Sequence, residues 1–148
     1  MMTLKRTFLP LICVLISTAC SFDGDKTQID VQQLPQQVTK FISTKFKGQK
    51  IKYATKEKAG NALKYEVLLV NGTEIEFDNN GNWTEIDGNS KALPNSFIPQ
   101  AIRNYVKANY KGQAIKEIKR NPNGYEIELS NEVEIKFNKN FKAVKIDK

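Results

Sequence analysis

Residues 64–87, KYEVLLVNGTEIEFDNNGNWTEID, return in altered form at residues 124–147 as GYEIELSNEVEIKFNKNFKAVKID. The offset is constant: Tyr65 falls on Tyr125 and Asp87 on Asp147. The repetition extends upstream at a slightly larger offset. Ile98-Pro99-Gln100 matches Leu34-Pro35-Gln36, and Lys111-Gly112-Gln113 repeats Lys47-Gly48-Gln49. The offset changes only in the loop before the second strand, where extra residues cost little closure entropy. Spacing held within elements and altered only in a loop marks a duplicated unit. Such a chain must build the same small architecture twice.

Each unit begins as a helix. Val38, Phe41, Ile42 and Phe46 recur at helical spacing, as do Ile102, Tyr105, Val106 and Tyr110. Pro35 suits a first helical turn and Gly48 a helix end. Four strands follow in the first unit, over Ile51–Lys56, Lys64–Val70, Thr73–Phe77 and Asn82–Ile86. Asn71-Gly72 is a strong hairpin signal, and Asp78-Asn79-Asn80-Gly81 turns the chain again. Strict alternation puts Tyr65, Val67, Leu69, Ile75, Phe77, Thr84 and Ile86 on one face. The second unit repeats this with Tyr125, Ile127, Leu129, Val133, Ile135, Phe137, Val144 and Ile146. One sheet face is thus apolar and matches the apolar stripes of both helices. The expected fold is α+β. It is a tandem duplication, residues 34–88 and 94–148, with both helices on one face of an antiparallel sheet of up to eight strands.

The same alternation puts Glu66, Leu68, Glu74, Glu76, Trp83 and Glu85 on the opposite face. Its second-unit counterparts are Glu126, Glu128, Glu134, Lys136 and Lys145. A large aromatic on a charged face is an interface anchor. Trp83, with Leu68, Glu66, Glu76 and Glu85 around it, is therefore the expected partner-binding patch. The other role open to Trp83 is packing on Leu68 and Val70 or under a loop.

The N-terminus reads as an export signal. Lys5 and Arg6 precede a short apolar run, Phe8–Ile16, and Ser17-Thr18-Ala19 offers small residues for cleavage. The run is too short for a bilayer, which needs about 20 residues. Cys20 follows directly, in a pattern that resembles a bacterial lipoprotein signal, although Ser17 stands where such signals carry leucine. Lipidation at Cys20 and simple cleavage after Ala19 both place the protein outside the cytoplasm, in the periplasm or at the outer membrane. Residues 20–33 read as a flexible tether. Cys13 is lost with the signal, so no internal disulfide is expected. The chain has a net charge of +7, and cleavage removes two of its basic residues. The remaining lysines are scattered without interleaved aromatics, which argues against nucleic acid as a partner. Contact with a membrane is expected only through the lipid, and the chain is expected to be a monomer.

With no histidine, the chain has no Ser-His-Asp or Cys-His arrangement and no zinc or haem site built on histidine. No glycine-rich phosphate loop is present, and no cofactor is expected. Glu74 and Glu76 lie about 7 Å apart on a strand, a glycosidase-like separation, but an open strand offers no pocket to raise one pKa. Asp78, Asn80 and Asn82 imitate the start of a calcium loop, yet Asn89 stands where the closing glutamate belongs. No metal site is expected.

The run from Tyr65 to Trp83, Y-x-V-x-L-x-N-G-x-x-I-x-F-D-x-x-G-x-W, resembles the hallmark of exported PepSY-like, β-lactamase-inhibitor-like proteins of Bacteroidota. The second unit departs from it, with Glu132, Asn138, Phe141 and Ala143 at four of the motif positions. The resemblance implies two helix-plus-four-strand repeats whose sheet grips another protein, as inhibitors of enzymes and peptidases do. It therefore implies a non-enzymatic protein-binding module. A carrier of small ligands or cations, or a structural envelope lipoprotein, are the alternatives.

Overall fold

The computed structural model describes residues 25–148. The signal segment and Cys20 lie outside them. Nine strands form one antiparallel sheet in which every strand pairs with its neighbours in the chain. They are β1 (Asp25–Ile29), β2 (Ile51–Ala59), β3 (Ala62–Leu69), β4 (Glu74–Phe77), β5 (Trp83–Asp87), β6 (Ile115–Asn121), β7 (Gly124–Leu129), β8 (Glu134–Asn138) and β9 (Ala143–Asp147). Helix α1 (Gln36–Lys45) lies between β1 and β2, and α2 (Gln100–Asn109) between β5 and β6. The duplicated α+β plan stands, with one strand more than the sequence suggested. That strand, β1, and the 3₁₀ turn Val31–Gln33 after it occupy much of the stretch read as tether. Asp30 caps the turn by accepting from the Gln32 backbone N–H at 2.8 Å, while Gln33 Oε1 accepts from Asp30 N–H. Residues 25–33 of that stretch are therefore part of the fold.

The helices and one sheet face share a single core. Val38 and Ile42 of α1 and Ile102 and Val106 of α2 are buried with Val67, Leu69, Ile75, Phe77, Ile86, Ile118, Ile127, Leu129, Ile135 and Phe137. The two units pack alike. Phe41 meets Phe77 edge-on at 5.8 Å, and its counterpart Tyr105 meets Phe137 edge-on at 5.3 Å. Gly72 and Gly81 turn the first unit with positive φ. In the second unit Glu132 and Phe141 hold the same left-handed conformation, φ 66° and 58°. This costs a non-glycine residue roughly 1–2 kcal/mol. Phe141 recovers some of that by stacking on Tyr125 at 5.5 Å.

The units are joined by pairing of β5 with β6: Glu85 faces Lys119, Ile86 faces Ile118, and Asp87 faces Glu117. Trp83 seals this joint from the helix side. It is 8% exposed and packs on Phe97 at 6.0 Å and Tyr125 at 6.5 Å. Arg120 lies 4.7 Å from the indole centroid and donates through Nη2 to the Trp83 carbonyl at 2.8 Å. The expectation that Trp83 stands on the uncovered face is thus overturned, and so is packing on Leu68; the indole instead packs under the connector between β5 and α2, which carries Phe97, the loop role the sequence left open. The cause is a bulge. Glu76 pairs with Glu85 but Phe77 pairs with Trp83, so Thr84 is the extra residue and alternation breaks there. The same bulge recurs in β9, where Val144 is extra and 62% exposed instead of buried.

Candidate functional site

The sheet face away from the helices is lined by charged side chains, most of them half-exposed. Strand register orders them into two ladders that run across the sheet. One passes through Glu66, Glu76, Glu85, Lys119, Glu126, Lys136 and Lys145. The other begins at Tyr53 and Leu68 and continues through Glu74, Asp87, Glu117, Glu128, Glu134 and Asp147. Six consecutive strands, β4 to β9, each place a carboxylate in that second row. Adjacent strands are about 4.8 Å apart. Like charges directly opposite one another destabilise a sheet.

Lysines offset part of this repulsion. Lys116 reaches Glu128 at 2.7 Å, Lys119 reaches Glu117 at 2.7 Å and Glu85 at 3.4 Å, and Lys145 reaches Asp147 at 2.7 Å. Lys26 and Lys136 bind Glu66 and Glu126 in the other row at 2.7 and 3.1 Å. Among the described residues Glu74, Asp87 and Glu134 have no ion pair. Burial, then the Glu66 and Asp87 charges, raise the Glu74 pKa above the usual carboxylate range. Glu85 is pushed up to about 7. Burial is the main cause, the Glu76 and Glu117 charges add to it, and Lys119 opposes it. For Lys119 burial works against the charge, but hydrogen bonds and attraction from Glu117 and Glu85 outweigh it and hold the pKa above the ordinary lysine value.

Of the residues expected to bind a partner, Glu66, Leu68, Glu76 and Glu85 lie together on this face and Trp83 does not. Sequence reading missed Asp87, Glu117 and Asp147. Glu117 reaches the face because β6 is irregular between Ile115 and Glu117, which resets its alternation. The periodicity of β6 alone carried no such signal. Asp78 is a turn residue: its carboxylate accepts from the backbone N–H of Asn80 and Asn82 at 2.9 and 2.8 Å. Among the described residues no three acidic or cysteine side chains converge to hold a metal ion. A shallow hollow on the open face is lined by Glu117, Lys119, Glu126, Glu128 and Glu134. Nothing there resembles an enclosed catalytic pocket. The surface can offer a straight file of negative charge to something extended and positive.

Three crystal structures of Bacteroides proteins match this fold along nearly their whole length. One is described as a "putative calcium-regulated periplasmic protein" of Bacteroides thetaiotaomicron. It is 38% identical, with a TM-score of 0.81 over 84% of this chain and 98% of its own. Another, a "putative periplasmic protein" of Bacteroides vulgatus, is 39% identical with a TM-score of 0.80, over 84% and 98%. A third, also from Bacteroides vulgatus and of unknown function, is 38% identical with a TM-score of 0.79, over 83% and 99%. No curated protein matches the chain. The family model for "Putative beta-lactamase-inhibitor-like, PepSY-like" proteins matches residues 21–62 and 63–145. Two matched segments, a duplicated helix-and-strand unit and this sheet place the chain in the PepSY-like, β-lactamase-inhibitor-like family.

Proposed function

We propose that the chain is an exported, non-enzymatic binding module that holds a positively charged segment of another envelope or extracellular protein on its open sheet face. The supporting observation is the row of six carboxylates from Glu74 to Asp147. A sheet that lines up like charges gives away stability, and a basic partner would restore it on binding. Glu66, Glu76 and Glu85 in the parallel row extend the surface, and Leu68 supplies an apolar contact beside Glu74. Restraint of a peptidase or other enzyme is the form of binding the family name suggests. Export agrees with the periplasmic description of the structural neighbours. Attachment through a lipid at Cys20 completes the reading, and the mass of the mature N-terminus tests it.

The test of binding is cross-linking in intact envelopes followed by mass spectrometry. Wild type is compared with Glu66→Gln/Glu76→Gln and Glu74→Gln/Glu134→Gln. The reading expects one basic partner, lost in both variants while melting temperature holds or rises. A partner retained equally by both variants overturns it.

A second reading is binding of a divalent cation. It is favoured by the same carboxylate row and by the neighbour described as calcium-regulated. Calorimetric titration with calcium separates the two: heat that vanishes in Glu74→Gln/Glu134→Gln supports the cation.

A further inference from the structure

Charge in this molecule is segregated by layer. Eleven of the chain's sixteen acidic residues lie on the open sheet face. The segments that carry the two helices, residues 31–56 and 88–116, contain no acidic residue at all. They contain eleven lysines and arginines, of which one, Lys116, turns to Glu128 on the open face. Lys40 on α1 and Lys107 on α2 are exposed, as are Lys47 and Lys111 just beyond the helix ends. A small fold with carboxylates on one broad side and free cations on the other has an electrical direction.

The length of chain between Cys20 and β1 supplies the second observation. With β1 starting at Asp25, only Ser21–Gly24 separate Cys20 from the sheet. Five extended steps span at most about 18 Å. A lipid on Cys20 would hold the whole domain close to the headgroups, well short of the reach of a long tether. At that distance an anionic surface repels the carboxylate face and attracts the helix layer, over a Debye length of about 8 Å.

From these two facts we infer that the helix layer is a membrane-facing surface that rests on anionic lipid headgroups and turns the carboxylate face outward to its partner. This revises the expectation that only the lipid touches the membrane. It rests on the anchored reading for its location, but the lipid affinity belongs to the fold itself. A hollow beside α2, lined by Arg103, Lys107 and Lys111 together with Leu93 and Tyr110, belongs to this surface. A second copy, offering its acidic face to this basic layer, is the competing occupant. Such head-to-tail contacts do not close on themselves and would build open-ended stacks.

The experiment uses the chain from Ser21, which keeps every described residue and has no cysteine to acylate. Its co-sedimentation is measured with vesicles of phosphatidylglycerol mixed with phosphatidylcholine, and with phosphatidylcholine alone. Binding is expected to the first and absent from the second, and is expected to be lost on adding salt. Each lysine near an anionic surface is worth about 1 kcal/mol, roughly a fivefold change in partition. Lys40→Gln/Lys47→Gln/Lys107→Gln/Lys111→Gln should therefore weaken binding by at least about tenfold, even if only two of the four touch lipid. Lys64→Gln/Lys136→Gln on the open face should leave it unchanged. No binding to anionic vesicles at low salt, or equal loss from the open-face variant, overturns the inference. So does salt-sensitive self-association in place of vesicle binding. Because the protein carries no lipid, failure here is distinct from failure to find an acylated Cys20.

Discussion

Trp83 shows how one residue can change role between two copies of a unit. In the first unit it lies where β5 meets β6, wedged between Phe97 and Tyr125 under the Arg120 guanidinium. Its counterpart Ala143 lies on β9, which stands at the edge of the described sheet and pairs there with β8. A large side chain is useful only at the interior joint. Trp83→Ala should cost about 3–5 kcal/mol of stability. Chemical denaturation would measure the loss, and a change under about 1 kcal/mol would return the indole to the surface. Glu85 makes the complementary case, a polar residue held uncomfortably. Its pKa is raised from the ordinary 4.5 to about 7, chiefly by burial. A carboxyl whose pKa is raised on folding binds its proton more tightly in the native state. The associated stability is present below the unfolded pKa and is lost as pH climbs through the folded one. Melting temperature should therefore fall between pH 5 and pH 8. Glu85→Gln, which cannot ionise, should flatten that slope and melt higher at pH 8. An unchanged slope in the variant would assign the titration elsewhere.

At the level of elements, the last strands of the two units differ in having a neighbour beyond them in the described sheet: β5 pairs with β6, whereas β9 stands at an edge. Ile86 on β5 is fully buried, whereas its counterpart Ile146 on β9 is 45% exposed. Both occupy the same position opposite Ile75 and Ile135. The same substitution should then give unequal results: Ile86→Ala about 2–4 kcal/mol, Ile146→Ala less than half of that. Equal costs, measured by denaturant unfolding of each variant, would mean that β9 is covered in solution. This asymmetry also explains how much could be read from the chain. The helices and the Asn71-Gly72 hairpin were legible because their causes are local: Val38, Phe41, Ile42 and Phe46 repeat within one helix, and glycine takes φ 91° at a tight turn. β1 was not legible, since Asp25-Lys26-Thr27-Gln28-Ile29 is an edge strand with a single apolar residue and its partner lies more than twenty residues away. The face of Trp83 was not legible either. One bulged residue, Thr84, reverses the side on which every residue before it falls, and bulges leave no periodic trace. For the surface, Glu66, Leu68, Glu76 and Glu85 followed from alternation. The acidic row did not, because it exists only once β5 is paired with β6 and Asp87 is set against Glu117.

Across the whole molecule, the charge pattern has a consequence for stability apart from any partner. Within the open face, carboxylates in adjacent strands sit about 5 Å apart, whereas the balancing cations of the helix layer lie across the thickness of the core, about 10 Å away. Repulsion within each layer is therefore nearer than attraction between them. Salt screens both, but the ion pairs that favour folding on this face, such as Lys26–Glu66 and Lys136–Glu126, are solvent-exposed on the lysine side and individually weak. The repulsive part should dominate. Raising sodium chloride from about 0.01 M to about 0.3 M, which shortens the Debye length from about 30 Å to below 10 Å, should raise the melting temperature. In Glu74→Gln/Glu134→Gln the starting temperature should be higher and the rise smaller, because two carboxylates without ion pairs have left the row. Scanning calorimetry at two salt concentrations on both proteins distinguishes the cases. A melting temperature that drops with salt in the wild type would mean that the lysine bridges outweigh the carboxylate row, and the row would then need no partner to complete it.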